Sequence, residues 1–143
     1  MRGVFERVSP ATFAQKVGIP AGWFIVSHRC LPDKKTRRKA HGRWFRIKSS
    51  SGVIYRILRF SPNLRSPGKK DGEIVLDWVG WLDLNDRDEE VSTPLDLEIS
   101  EVPMWCLPFM VRAHPDPSYR LAGTLGLVSV VLGVLSVLFA FRG

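Results

Sequence analysis

Apolar and polar residues change rhythm once along the chain, from short alternating runs over residues 1–113 to an unbroken apolar stretch from Leu121 to Phe141. Among the short runs, Gly22–Arg29 is dense in aromatic and β-branched residues, which suit a pleated strand. Arg43–Lys48 and Val53–Phe60 flank Ser49-Ser-Ser-Gly52, the pattern of a hairpin. From Glu73 to Leu84, residues Ile74, Leu76, Trp78, Gly80, Leu82 and Leu84 recur at every second position, with Glu73, Asp77 and Asp83 opposite, which predicts a long strand. Leu95–Val102 predicts another, and the apolar run Met104–Val111 is divided by Pro108. One short helix is expected over Ser9–Val17, capped by Ser9, opened by Pro10, with Phe13 and Val17 on one face, and closed by Gly18. Pro32–Gly42, Ser61–Gly72 and Asn85–Ser92 have no apolar period and are expected as two basic loops and an acidic one. These elements predict a mainly β fold, a small barrel-like or sandwich domain with one short helix, plus a single C-terminal transmembrane α-helix.

Leu121–Phe141 carries no charge and no proline, and its polar side chains are Thr124, Ser129 and Ser136. As a helix it reaches roughly 30 Å, the thickness of a bilayer's hydrocarbon core. The expected organisation is therefore a β-rich domain over 1–113, a Pro-rich juxtamembrane linker over 114–120 and a transmembrane helix over 121–141. Arg112 and Arg120 precede the span and Arg142 follows it, so the positive-inside rule assigns the N-terminal domain to the cytoplasm. With Arg142 and Gly143 beyond the span, the expectation is a tail-anchored, single-pass protein. Tyr119 and Arg120 suit the membrane interface.

Within the span, Ala122, Gly126, Ser129, Gly133, Ser136 and Ala140 recur at spacings of four and three, a heptad seam of small residues. In lipid, helices associate by close backbone approach at such residues rather than by the hydrophobic effect. A 3.5-residue period suits a left-handed crossing with a second copy or another membrane subunit.

Charge sharpens the picture of the remaining domain. Residues 1–70 hold 17 Lys/Arg against Glu6 and Asp33, a net +15; residues 71–143 hold 4 against 12 acids, a net −8. The halves neutralise each other within one domain, or the basic half meets an anionic partner, or opposite faces of neighbouring copies attract. Lys34, Lys35, Arg37, Arg38, Lys39, Arg46, Lys48, Arg56 and Arg59 are the candidate residues for that contact. With Trp44 and Tyr55 interleaved, they fit the headgroups of membrane lipids or, as the alternative partner, a single-stranded nucleic acid.

No catalytic or metal constellation stands out, and no cofactor is expected. His28, Cys30, His41, Cys106 and His114 lack the paired spacing of a zinc site. The stretch from Asp83 to Glu90 departs from a calcium loop at Arg87 and lacks its glycine. His28, Cys30 and Asp77 would be the first suspects of an enzyme. The preferred reading is non-enzymatic: a domain that binds a protein or an anionic ligand, on a helix that assembles in the membrane. One version is a sensor–effector acting on the membrane.

Overall fold

In the computed structural model, which describes all residues except 14–18, 69, 88–92, 113 and 142–143, the chain divides into two units, Met1–Val102 and Pro103–Gly143. The first is built on strands β1 (Arg2–Val8), β2 (Trp23–Ser27), β3 (Trp44–Lys48), β4 (Val53–Ser61), β5 (Gly72–Val75) and β6 (Leu95–Glu101). They close into a barrel in the order β1-β5-β2-β4-β3-β6. Closure removes every free sheet edge, the usual liability of a small β-domain. The pairs β1–β5 and β2–β4 are parallel; the others are antiparallel. The expected hairpin is β3–β4, with Lys48 opposite Val53.

Alternation decides what fills the barrel. Phe45 and Ile47 of β3, Ile54 and Leu58 of β4, and Leu97 and Ile99 of β6 point inward and are buried. Phe24 packs edge-on against Phe45, with ring centroids 6.2 Å apart. Burial of side chains this size stabilises by about 1.5–3 kcal/mol each, before chain entropy is counted.

Three expectations change. The long strand over Glu73–Leu84 is instead β5 followed by helix α3 (Trp78–Leu84). Asp77 caps that helix, accepting the Gly80 N–H at 2.9 Å. Gly80, Trp81 and Leu84 are the buried positions, a helical spacing that period-two reading had absorbed. Pro32–Gly42 is not a loop throughout but contains α2 (Lys34–Ala40), in which Ala40 is the buried residue. Asp33 caps it, held below the usual carboxylate range by the Thr36 hydroxyl and the Thr36 and Lys35 N–H groups. A helix with so little apolar surface leaves no periodic trace in sequence. The segment after β6 is also helical, a 3-10 turn at Met104–Cys106 and then α4 (Leu107–Arg112). The short helix expected over Ser9–Val17 is seen as α1 (Pro10–Phe13); Val17 and the Gly18 terminator lie outside the described residues.

The β3–β4 turn rests on α3. Ser49 Oγ donates to the Leu84 carbonyl and accepts the Ser51 and Gly52 N–H groups. A Cβ on Gly52 would lie 1.9 Å from the Asp83 carbonyl oxygen. Gly52→Ala is therefore expected to cost about 1–3 kcal/mol as the turn is forced off α3. Denaturant unfolding measures it, and an unchanged midpoint would mean that the turn moves away freely.

Candidate functional site

Two features carry the functional question, one in each unit. In the second unit, α5 (Pro117–Ala140) is a single helix long and apolar enough to cross a membrane. Asp116 caps it by accepting the Ser118 N–H at 2.8 Å, and Pro117 takes the first helical position. Helix therefore runs through most of the expected linker 114–120. The three polar side chains of the span satisfy themselves: Thr124, Ser129 and Ser136 each donate to the carbonyl four residues back, at 2.9 Å. No hydroxyl is left in need of water, so the helix meets the condition hydrocarbon imposes.

Ala122, Gly126, Ser129, Gly133, Ser136 and Ala140 are all exposed, and a Cβ added at Gly126 or Gly133 would meet nothing within 4 Å. Gly123, outside that seam, is the glycine with a close neighbour: its Cβ would lie 2.8 Å from Val111 Cγ1 of α4. The heptad pattern drew attention away from it, because a six-residue helix packing on α5 has no periodic signature. Tyr119 stacks on His114 at 4.3 Å between centroids, and Arg120 is exposed beside it.

The first unit brings together some of the basic residues and separates others. Lys34, Lys35, Arg38 and Lys39 stand exposed on α2, with no ion pair among the described residues. Arg37 is half-buried and donates to the His28 carbonyl at 3.1 Å. Below α2 lies an open cleft of about 670 Å³, lined by Thr36, Lys39, Arg43, Phe45, Glu98 and Glu101 among others. Lys48 borders a smaller cleft of about 290 Å³.

On β3 and β4 most of the cations are engaged. Arg46 approaches Glu98 at 4.0 Å, and Arg59 stacks on Trp23 with its guanidinium carbon 4.2 Å from the ring centroid. Arg56 is interior. It sits 4% exposed between inward-facing Ile54 and Leu58, donating to Asp77 at 3.0 and 3.2 Å. It is removed from any surface that meets a partner. The signal was legible: Arg56 shares the phase of Ile54 and Leu58 on its strand. Burial pushes the Asp77 carboxyl up, but the hydrogen bonds and charge of Arg56 with the Gly80 N–H outweigh it and hold Asp77 below the usual range.

Part of the charge asymmetry is offset by ion pairs inside this unit. Arg2–Asp96, Arg43–Glu101, Arg46–Glu98, Arg56–Asp77 and Arg65–Glu73 each join the basic half of the sequence to the acidic half. What remains unneutralised is concentrated on α2. Of the enzyme suspects, Asp77 is committed to Arg56 and the α3 cap, and burial pushes the Cys30 thiol up, away from the reactive thiolate. Among the described residues no group of three or more His, Cys, Asp or Glu is arranged to hold a metal ion.

No protein-family model matches the sequence, and neither does any curated protein. Among solved structures, the apo expansin of Clavibacter michiganensis is similar, with a TM-score of 0.47 and 14% identity over 73% of this chain and 50% of that one. The chain thus spans half the length of that expansin, and so distant a likeness carries no functional argument.

α2 presents cations above a cleft whose floor is part apolar, and α5 presents a uniformly apolar cylinder with one small-residue stripe.

Proposed function

We propose that this is a non-enzymatic, single-pass membrane protein. Its barrel domain faces the cytoplasm and binds an anionic partner through α2 and the cleft beneath it. Its helix packs in the membrane with itself or a larger complex. The observation that carries the reading is α5: 24 residues, no charge beyond Arg120, none of its apolar window buried, and every hydroxyl of the span internally bonded. A soluble core helix would bury one face against its own domain. Orientation rests on Arg112 and Arg120, which flank the span on the barrel side.

Two measurements test the halves separately. The full chain is expected to stay with membranes through alkaline carbonate and to leave them with detergent; release by carbonate alone would end the anchored reading. For α2, the probe is a labelled polyphosphate added to the chain in neutral detergent. Replacing Lys34, Lys35, Arg38 and Lys39 by Glu is expected to weaken binding more than about tenfold, with wild-type affinity falling steeply as salt rises. Binding indifferent to both would remove α2 as the contact. A preference for single-stranded nucleic acid of equal charge would instead favour the nucleic-acid reading.

A further inference from the structure

The second unit contains more than a long apolar helix: the segment before it is apolar, and Met104 and Trp105 at its start are exposed. Between the barrel and α5, the sequence Met104-Trp-Cys-Leu-Pro-Phe-Met-Val-Arg112 carries one charge, at its end. In the structure it is the 3-10 turn Met104–Cys106 running into α4. Met104 and Trp105 are 70% and 77% exposed, among the most exposed large apolar side chains of the described residues. Water is a poor environment for two such neighbours on an ordered turn.

The position of this segment is fixed by α5. Val111 of α4 lies where a Cβ of Gly123 would be, 2.8 Å from Val111 Cγ1 and 3.5 Å from the Arg112 N, so the two helices meet nearly backbone to backbone. Leu127, one turn on along the same face, is also partly covered, unlike most of its neighbours on the helix. The connection is tied at several points. The Asp116 N–H donates to His114 Nδ1 at 3.0 Å, His114 lies against Tyr119, and the His114 N–H reaches the Val111 carbonyl at 3.3 Å. Gly123 is two residues into the apolar stretch that begins at Leu121, about 3 Å along the helix. Whatever level of the bilayer Leu121 occupies, α4 is held beside it.

We infer that Met104–Arg112 is a second membrane contact, an interfacial helix packed on the entry of the span, with Trp105 and Met104 set among the lipid headgroups and upper acyl chains. The inference rests on α5 crossing the bilayer and adds to it a segment of the chain too short to cross. Three features favour lipid as the occupant over a protein partner. The segment packs on α5 at Gly123, two residues into the apolar stretch; its exposed side chains include tryptophan, which settles at the membrane boundary; and Arg112 and Arg120, both exposed, lie at its end and just before the apolar stretch, as contact with phosphates requires.

Tryptophan emission tests this on the full chain in phosphatidylcholine bilayers with brominated acyl chains. Trp105 lies in this unit, whereas Trp23, Trp44, Trp78 and Trp81 belong to the barrel unit. Wild type is expected to show a component quenched by bromolipid and shielded from aqueous iodide, and Trp105→Phe is expected to lose it. The substitution is at an exposed position and leaves packing intact, so circular dichroism should not change. Carbonate extraction is run on the same samples. If the chain resists carbonate but wild type shows no bromolipid-quenched component, or Trp105→Phe retains it undiminished, the interfacial assignment is overturned while the span stands. Release by carbonate overturns both.

Discussion

Asp77→Asn is expected to cost the barrel about 3–5 kcal/mol. Asparagine keeps an oxygen for the Gly80 N–H and so preserves the cap of α3, while its amide turns a donor toward the Arg56 Nε–H in place of the other carboxylate oxygen. What it leaves behind is Arg56, 4% exposed between Ile54 and Leu58, with a guanidinium that no longer faces a carboxylate. Arg56→Met should be milder, because Asp77 retains 32% of its side-chain surface and can turn to water. The double variant should lie closer to wild type than Asp77→Asn does, since the buried charge goes with its partner. Denaturant unfolding of wild type and the three variants, followed by tryptophan fluorescence, measures all three expectations. Should Asp77→Asn fall within about 1 kcal/mol of wild type, Arg56 reaches solvent and the pair is not structural.

The same pair sets an acid limit. The folded Asp77 carboxyl lies below its unfolded value, so its contribution is fully present above the unfolded pKa and is lost as pH falls through the folded one. Unfolding of wild type should therefore steepen below about pH 4, near the free aspartate value, and Asp77→Asn should lack that part of the slope.

How much of this was legible depended on how local each cause is. The spanning helix could be read directly, because nothing but twenty-one consecutive uncharged residues is needed to specify it. Strands β3, β4 and β6 were legible from local pattern and turn signals, and β2 from its run of aromatic and β-branched residues. β1 was not: Phe5 is its single fully buried side chain, so there is no alternation to see. β5 has four residues, and the helix after it begins with a cap, Asp77, that period-two counting placed on a polar strand face. Closure lay further out of reach. The parallel pairs β1–β5 and β2–β4 join strands that are not neighbours in sequence, and no local pattern encodes them.

At the candidate sites, composition singled out the cations now seen on α2, and Arg56 was grouped with them by proximity in sequence although its side chain is buried. The distinction is one of phase along a strand, not of residue type. Gly123 was overlooked because its neighbour α4 is too short and too interrupted by proline to suggest a helix.

That neighbour makes the test of helix assembly cleaner than sequence alone allows. In mild detergent the full chain is expected to run as a defined oligomer, and Gly126→Leu/Gly133→Leu is expected to abolish it. Apart from the helix's own backbone, an added Cβ at either position meets nothing within 4 Å among the described residues, so the substitutions are expected to leave the isolated helix intact and act on contact with another helix. Gly123→Leu is the contrasting variant: it collides with Val111 within the same chain. If the seam is a contact between chains, Gly126→Leu/Gly133→Leu should dissociate the oligomer while Gly123→Leu displaces α4 and leaves association largely intact. If Gly123→Leu dissociates it and the seam variant does not, assembly runs through the α4–α5 packing instead. A wild-type chain that is monomeric in detergent and in bilayers would assign the stripe to a different membrane protein, to be sought among what co-purifies. Because hydrocarbon offers no hydrophobic reward for helix contact, close backbone approach has to supply the attraction. Two leucines placed on the stripe remove that approach, which is why the expected effect is loss of the oligomer rather than a graded weakening.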